Sequence, residues 1–554
     1  MIDEKHKADL SLIDKSFAKT KEYEAQWLEY ERMYESYHTK QFLDEAAEND
    51  RNAIFIPLTY STINIAYAVF TSAFFSSGNP IEILKVGSKD ETKRSELKRV
   101  VDYFYTKAKP YNELSRAFLS AALFGIGAVK INWDESKKIP DTTLIPVTEV
   151  GFDIDAISSK DNQYTVYRFE QTLQEIHQKI KDKFYRVKPA EREPLLRGYK
   201  ETPYKRKLVK EIFKREGNEW RVKTFIGNTL VRNSIFKRNP IKAGYLLHKL
   251  PSISTSKRAD QVAMIGDSLV RVIKPLNEEL NIKRNQRMDL IEKHINPPVW
   301  VPVGAGLDPD DEKKNGGVKN VDSTAGILFE SIIGASEFTQ DVAMLKSDIE
   351  DASSINGIMR GSTTASDRRS ASALANIGAN SSVRLESMIK LISETLFEDW
   401  ARDFVRLCYI NAEDSLILDI LDQEEHSLGT KGLRSDLEID IKINFGINVN
   451  KQQKISDLMS VIEILSKNPN ANLADLESEL VRLILGDNTD VQKIFGVSSL
   501  KGDGDIPGED GRRDADVPRA TPGNAGAGGA EQDSVQNEGL EKHQELYQVA
   551  NNEI

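Results

Sequence analysis

Cysteine is nearly missing from this chain. Cys408 is the one thiol in 554 residues, so no disulfide can form within it, and a reducing compartment is expected. Cys408 lies between Leu407 and Tyr409 and reads as a small buried hydrophobe. Long apolar runs are missing too. Stretches such as Ala121–Phe124 (AALF) fall far short of the roughly 20 residues that span a bilayer. The N-terminal MIDEKHKADLSLIDKS has no apolar core, which predicts no secretory signal. No glycine-rich segment leads into Gly-Lys-Ser/Thr, which excludes a P-loop nucleotide hydrolase. His6, His38, His177, His248, His294, His426 and His543 are isolated, without His-x-x-x-His spacing or cysteine partners, and predict no zinc site. No Gly-x-Ser-x-Gly elbow occurs. Carboxylates are plentiful, but none stands paired in an apolar context. A metal-dependent nuclease with its carboxylates on separate strands stays open as a rival. No cofactor is expected.

What is present is a large, charged, mildly acidic chain. Apolar residues at 39% supply real cores, while 75 Lys and Arg against 86 Asp and Glu leave a formal charge of -11. That balance argues against broad wrapping of nucleic acid. It leaves room for a local basic ring, or for a negative wall to which DNA does not stick. The length predicts about two to four domains.

Along the chain, residues 8–46 are highly charged, with a narrow apolar stripe at Leu12, Ile13, Phe17, Trp27, Met33 and Phe42. They predict a surface helix or helix pair. Residues 60–76 are apolar nearly all round and predict a buried helix. Strands are expected at 81–85 and 128–133, and short strands over 143–169. Gly125 and Gly127 in FGIGAVKINW follow a helix and precede a strand, the reverse of a phosphate-binding turn. A helix is expected from Thr172 to about Tyr185. Residues 186–260 read as a compact β-containing insert, with a hairpin at Trp220–Val231 about Gly227 and Asn228. The cluster Asp308, Asp310, Asp311 and Glu312 lacks calcium-loop spacing and reads as a solvated loop. Asp436–Ile447 alternates as a strand. Residues 452–465 and 473–485 predict two amphipathic helices, and 501–536 predict disorder.

The most informative stretch is Asp267–Pro298, a long helix stopped by two prolines. Leu269, Ile273, Leu276 and Leu280 form its apolar stripe. Arg271, Lys274, Lys283, Arg284, Arg287 and Lys293 supply positive charge. Pro275 should kink the helix or mark its first turn. Two readings of the charged face stand: a wall onto a solvated channel, or an ordinary solvated helix face. A second helical run, Arg369–Ile410, follows a break rich in Gly, Ser, Thr and Asn.

The order of three segments carries a resemblance. FLSAALFGIGAVKINWD (near 117–134), IGDSLVRVIKPLNEELNIKRNQRMDLIEKHINPPVWVP (near 265–302) and INGIMRGSTTASDRRSASALANIG (near 355–378) make the chain resemble portal proteins of tailed bacteriophages over roughly residues 50–485. The resemblance implies a mainly α fold with smaller β-containing portions (α+β). It implies a wing, with its N-terminal part at 1–171, and stem helices at 172–186 and 261–298 around a clip at 187–260. It further implies wing strands and a loop at 299–350, a tunnel loop at 351–367, and a long helix with a wing strand at 368–450. Crown helices would fill 451–490. The tail at 500–536 departs from members that end in a helical barrel, and 537–554 leave room for a short terminal helix.

By that resemblance the protein is a non-enzymatic subunit of a homo-oligomeric ring, usually of twelve. The ring sits at one vertex of the virion capsid and is assembled in the host cytoplasm. Double-stranded DNA, unread in sequence, would be packaged, retained and ejected through it. Its partners would be the large terminase, head-to-tail adaptors, and a major capsid or scaffolding protein. Site residues carried over are Arg360, Ser362, Thr363, Thr364, Arg368 and Arg369 on the tunnel loop, and Lys283, Arg284 and Arg287 on the stem face. For Arg360, Arg368 and Arg369, pairing with acidic residues of a neighbouring subunit is an equal alternative to phosphate contact. Another virion structural protein, such as a minor head protein, is the closer rival.

Overall fold

The computed structural model describes residues 4–75, 78–86, 91–156, 161–248, 262–295, 299–302, 318–321, 335–353, 355, 384–422, 424–429, 439–443, 458–462 and 480–481. The chain divides into two units, Met1–Val449 and Asn450–Ile554. In the second unit the described residues are two helical pieces, 458–462 and 480–481. The expected tunnel loop beyond 355, most of the expected crown helices, the acidic loop at 308–312 and the tail all lie outside the described residues.

The first unit is a mixed α+β fold. It opens with α1 (Glu4–Glu35), α2 (Lys40–Glu48) and α3 (Leu58–Phe75). The stripe on α1 is not a surface feature. Ile13, Trp27 and Met33 are all buried. Its 32 residues reach about 48 Å and dock onto two separate cores. Ile13 and Phe17 pack with Tyr164, Val166, Ile212 and Phe225, while Tyr23, Trp27 and Met33 join the main core. Ser16 Oγ donates to the Phe152 carbonyl at 2.8 Å, and Trp27 Nε1 to that of Phe124 at 3.1 Å. A narrow stripe is enough for burial when the partner surface is long and flat.

β1 (Ile81–Val86) follows, then α4 (Glu91–Ala108), α5 (Tyr111–Phe124), β2 (Gly127–Asp134) and β3 (Ile139–Ile145). α5 ends at Gly125, left-handed at φ 80°, a conformation that glycine enters without strain. A side chain there would also meet the Gly266 carbonyl at 2.5 Å. These glycines therefore mark a crossing of two chain segments rather than a phosphate loop.

The β-rich region differs from a free-standing insert. β4 (Val150–Phe152) and β5 (Tyr164–Thr172) precede it, and β6 (Arg206–Glu216), β7 (Glu219–Ile226) and β8 (Thr229–Phe236) lie within it. All five form one antiparallel sheet in the order β4-β5-β6-β7-β8. The sheet thus recruits strands from both sides of the helix expected at 172–185. That helix, α6 (Leu173–Lys181), is only nine residues long. It opens on a capping box from Thr172 and Glu175, which satisfies two end donors reciprocally. α6 and α7 (Pro189–Leu195) fill the connection between β5 and β6. The hairpin turns at Gly227 and Asn228 as expected, between β7 and β8. β9 (Ile241–Gly244) returns to pair with β2 in a three-stranded sheet.

Then come α8 (Leu269–Ile295), a parallel pair of β10 (Val299–Pro302) and β11 (Val318–Val321), and α9 (Ala335–Ser353). Residues 384–392 form α10. It runs through a π-helical turn, Ser393–Phe397, into α11 (Glu398–Asn411), followed by α12 (Asp414–Leu421). β12 (Ile439–Ile443) pairs with β1. The π turn places Phe397 at 4.5 Å from both Phe74 and Phe118, at the centre of the main core. Cys408 is fully buried there, and burial pushes its thiol well above the usual range.

Candidate functional site: a clamped helix with a neutralised charged face

α8 is the helix on which the sequence placed its candidate contacts. Ser268 caps it: its Oγ accepts from the Val270 N–H at 2.9 Å and donates to the Leu123 carbonyl at 2.5 Å. The Gly266 N–H donates to the Gly125 carbonyl at 2.9 Å. The first two segments that carry the portal resemblance thus meet directly. Pro275 lies within the helix and is exposed, so the helix continues through it. α8 rises about 40 Å over its length.

One face of α8 carries a ladder that the sequence reading missed. Asn277, Asn281, Asn285 and Asp289 recur every four residues. Asn277 Oδ1 accepts from the N–H and the hydroxyl of Thr59 at 2.9 and 2.8 Å. Asn281 Oδ1 accepts from the Ile56 N–H at 2.8 Å, and Asn285 Oδ1 from that of Ile54 at 2.7 Å. Asp289 Oδ1 accepts from both the N–H and the side-chain amide of Asn52, each at 2.8 Å. In return, the Asn277 and Asn285 amides donate to the carbonyls of Ile56 and Ile54 at 3.2 and 3.1 Å. Four helical residues rise about 6 Å and two extended residues about 6.6 Å. The periods nearly match over residues 52–56, where the α8 side chains act as a surrogate neighbouring strand, and Asn277 meets Thr59 in the first turn of α3. The signal Asn-x-x-x-Asn-x-x-x-Asn-x-x-x-Asp was present in the sequence, but its partner lies more than 200 positions away.

The charged face is largely neutralised within the chain. Arg271 pairs with Asp267 at 2.7 Å, and Lys274 with Glu29 at 3.3 Å and Glu278 at 3.8 Å. Arg32 of α1 reaches Glu29 at 2.9 Å and Glu278 at 3.0 Å. Burial opposes the charge of Glu29, but Arg32 and Lys274 outweigh it and hold its carboxyl below the ordinary range. Burial pushes the neighbouring Tyr30 phenol up to about 12. Of the predicted stem-face residues, Lys283 pairs with Asp341 of α9 at 3.2 Å. Arg284 and Arg287 are half-buried, and Arg287 Nε is enclosed without a hydrogen-bond partner among the described residues. Ile282, Ile295 and, on α9, Met344 are exposed, at 48%, 68% and 66%. Arg360, Ser362, Thr363, Thr364, Arg368 and Arg369 lie outside the described residues. Among the described residues no group of three or more His, Cys, Asp or Glu is placed to hold a metal ion, and no helix is long and apolar enough to cross a membrane.

No family model matches this chain, and no curated protein matches it. Among solved structures it is similar to a chain from the neck of an empty GTA particle computed with C6 symmetry. That match has 11% identity and a TM-score of 0.35, and covers 77% of this chain and 90% of that one.

Proposed function

We propose that this protein is a building block of a multi-copy ring in a virion, of the portal kind. Double-stranded DNA would pass through the ring without being read, and packaging and tail proteins would dock on it. In this reading the chain is not an enzyme, α8 is a wall helix, and the tunnel-loop residues carry the closest DNA contacts. The order of the three resembling segments supports it.

The observation that carries the reading is the state of the α8–α9 pair. Arg271, Lys274 and Lys283 are paired inside the chain, while apolar residues are exposed on both helices. Exposed apolar side chains on paired helices suit packing against further copies. Each wall cation already paired removes one phosphate trap for sliding DNA, because affinity for the backbone grows with the number of free cations.

Negative-stain imaging with native mass measurement tests this. An annular particle of many copies is the expected result. A monomer or dimer at micromolar concentration overturns it and favours a minor head protein. Metal-dependent DNA cleavage that a single Asp or Glu substitution abolishes would favour the nuclease.

A further inference from the structure

A cavity of about 830 Å³ opens between the five-stranded sheet, β2 and α11. Its floor includes Tyr167, Glu211 and Arg232 from a row of directly paired residues on adjacent strands, in which the buried Thr224 stands between Glu211 and Arg232. Paired residues in antiparallel strands share a face, so the row aims one set of side chains at the cavity. Glu211 is buried at its centre. Lys130 reaches it from β2 at 2.7 Å, and Thr224 Oγ1 donates to it at 2.9 Å. That carboxylate is therefore already committed.

The walls carry more positive charge than the cavity neutralises. Lys130, Lys179, Arg232, Lys237, Arg238 and Arg406 line it, against Glu135, Glu211 and Asp403. Asp403 is also committed, to Lys242 at 2.7 Å and Arg238 at 3.3 Å. Lys179, Arg232, Lys237 and Arg406 have no carboxylate within 4 Å among the described residues. Arg232 and Lys179 both approach the Phe184 ring, at 4.3 and 5.6 Å from its centre. Both are half-buried. Burial is the main force lowering the pKa of Lys179; Glu211 and Glu175 oppose it, and Lys130 and Arg232 add to it. Half-buried cations that outnumber the carboxylates beside them are costly, and perturbed charged groups gathered in a cleft mark a candidate binding site.

We propose that this cavity binds a phosphate-bearing ligand of nucleotide size. Arg232 offers a planar fork and Lys179 a point charge, the two complements of a phosphate. Trp133, Phe184 and Phe236 give the walls flat aromatic surface, on which a nucleobase stacks. The volume falls in the range of about 300–1,000 Å³ typical of small-ligand sites. The inference is independent of ring assembly, because every wall residue belongs to one chain.

Calorimetric titration of the full chain at low salt tests it, with ATP, pyrophosphate, a 5′-phosphorylated oligonucleotide and an acidic peptide as probes. ATP is expected to bind once per chain, with pyrophosphate weaker. R232Q and K179Q are each expected to weaken ATP by roughly tenfold while keeping the far-ultraviolet spectrum. K237Q, at an exposed rim position, is expected to weaken it by roughly threefold, and it keeps the test open where a wall variant does not fold. Competition by the oligonucleotide assigns the ligand to a nucleic-acid end, and ATP binding without competition assigns it to a free nucleotide. No saturable ATP heat up to about 1 mM, unchanged affinity in the folded variants, or binding of the acidic peptide alone overturns the proposal.

Discussion

The asparagine ladder on α8 and the cavity beside Glu211 both place polar side chains away from water, yet they do so in opposite ways. In the ladder each asparagine Oδ1 accepts a backbone N–H, two of the amides donate to carbonyls in return, and the three asparagines bring no charge. In the cavity Glu211 and Asp403 are already paired, with Lys130 and with Arg238 and Lys242, and several cations are left over. A satisfied polar network fixes one geometry and asks nothing of a partner. A network with surplus charge is complete only when something else is bound. The first kind marks architecture and the second marks recognition, even though both look like polar residues scattered among apolar ones in the sequence.

The sharpest way to break the comparison is to turn the closed part of the cavity into an open one. Glu211→Gln leaves Lys130 charged and unpaired, and a broken buried pair costs about 3–5 kcal/mol. Urea denaturation checks this, and Lys130→Met in the same chain should restore much of the loss. A pH series sharpens it further. Burial favours neutral Glu211, but Lys130, Arg232 and Thr224 overcome that and lower its pKa. A lowered carboxylate contributes stability above its unfolded value, and that contribution disappears as pH falls through the folded value. Melting temperature against pH should therefore fall less steeply on the acid side in Glu211→Gln.

Asn277→Ala tests the ladder. It strands the Thr59 N–H and hydroxyl in a buried place, while the Ile56 carbonyl keeps the Leu58 N–H at 2.8 Å. Orphaned buried groups cost about 1–3 kcal/mol each, with water recovering part, so a loss of about 2–3 kcal/mol is expected. A loss under about 0.5 kcal/mol, the range of ordinary surface changes, would remove the ladder as the clamp on residues 52–59.

How much of this was legible follows from sequence distance. α8 was readable almost to the residue, because its apolar stripe and the prolines that stop it are local. So were α3, α5 and the turn at Gly227 and Asn228. The ladder was visible as a four-residue period, yet polar positions on an amphipathic helix read by default as solvent-facing, and nothing near Asn277 announces Thr59. The β-rich region was misjudged as self-contained because β5 and β6 pair across the 33 residues from Leu173 to Lys205. The cavity could not be read at all. Lys130, Lys179, Glu211, Arg232 and Arg406 come from five elements, three strands and two helices, and only the sheet registers together with the packing of α6 and α11 bring them together. Among the α8 cations, Lys274 and Lys283 pair with Glu29 and Asp341, which sit on other helices. The two readings of that face could therefore be weighed only once α1 and α9 were in place.

The smallest expected effect separates surplus charge from structural charge most cleanly. Lys179 has its pKa lowered, chiefly by burial. For a lysine this direction means the folded state disfavours the charge: the penalty is present in full at neutral pH and is relieved as pH rises through the folded value toward that of the unfolded chain. Wild-type stability should therefore gain on the alkaline side, and Lys179→Met should lack that gain. At neutral pH without ligand, Lys179→Met should be stabilising by about 0.5 kcal/mol or neutral, since a half-buried charge is exchanged for an apolar chain of similar length. With ATP present the order reverses, because the wild type alone gains the binding free energy. A Lys179→Met chain that is less stable than wild type under both conditions would show Lys179 to be structural, of the same kind as Lys130, and would collapse the distinction between the two regions at that residue.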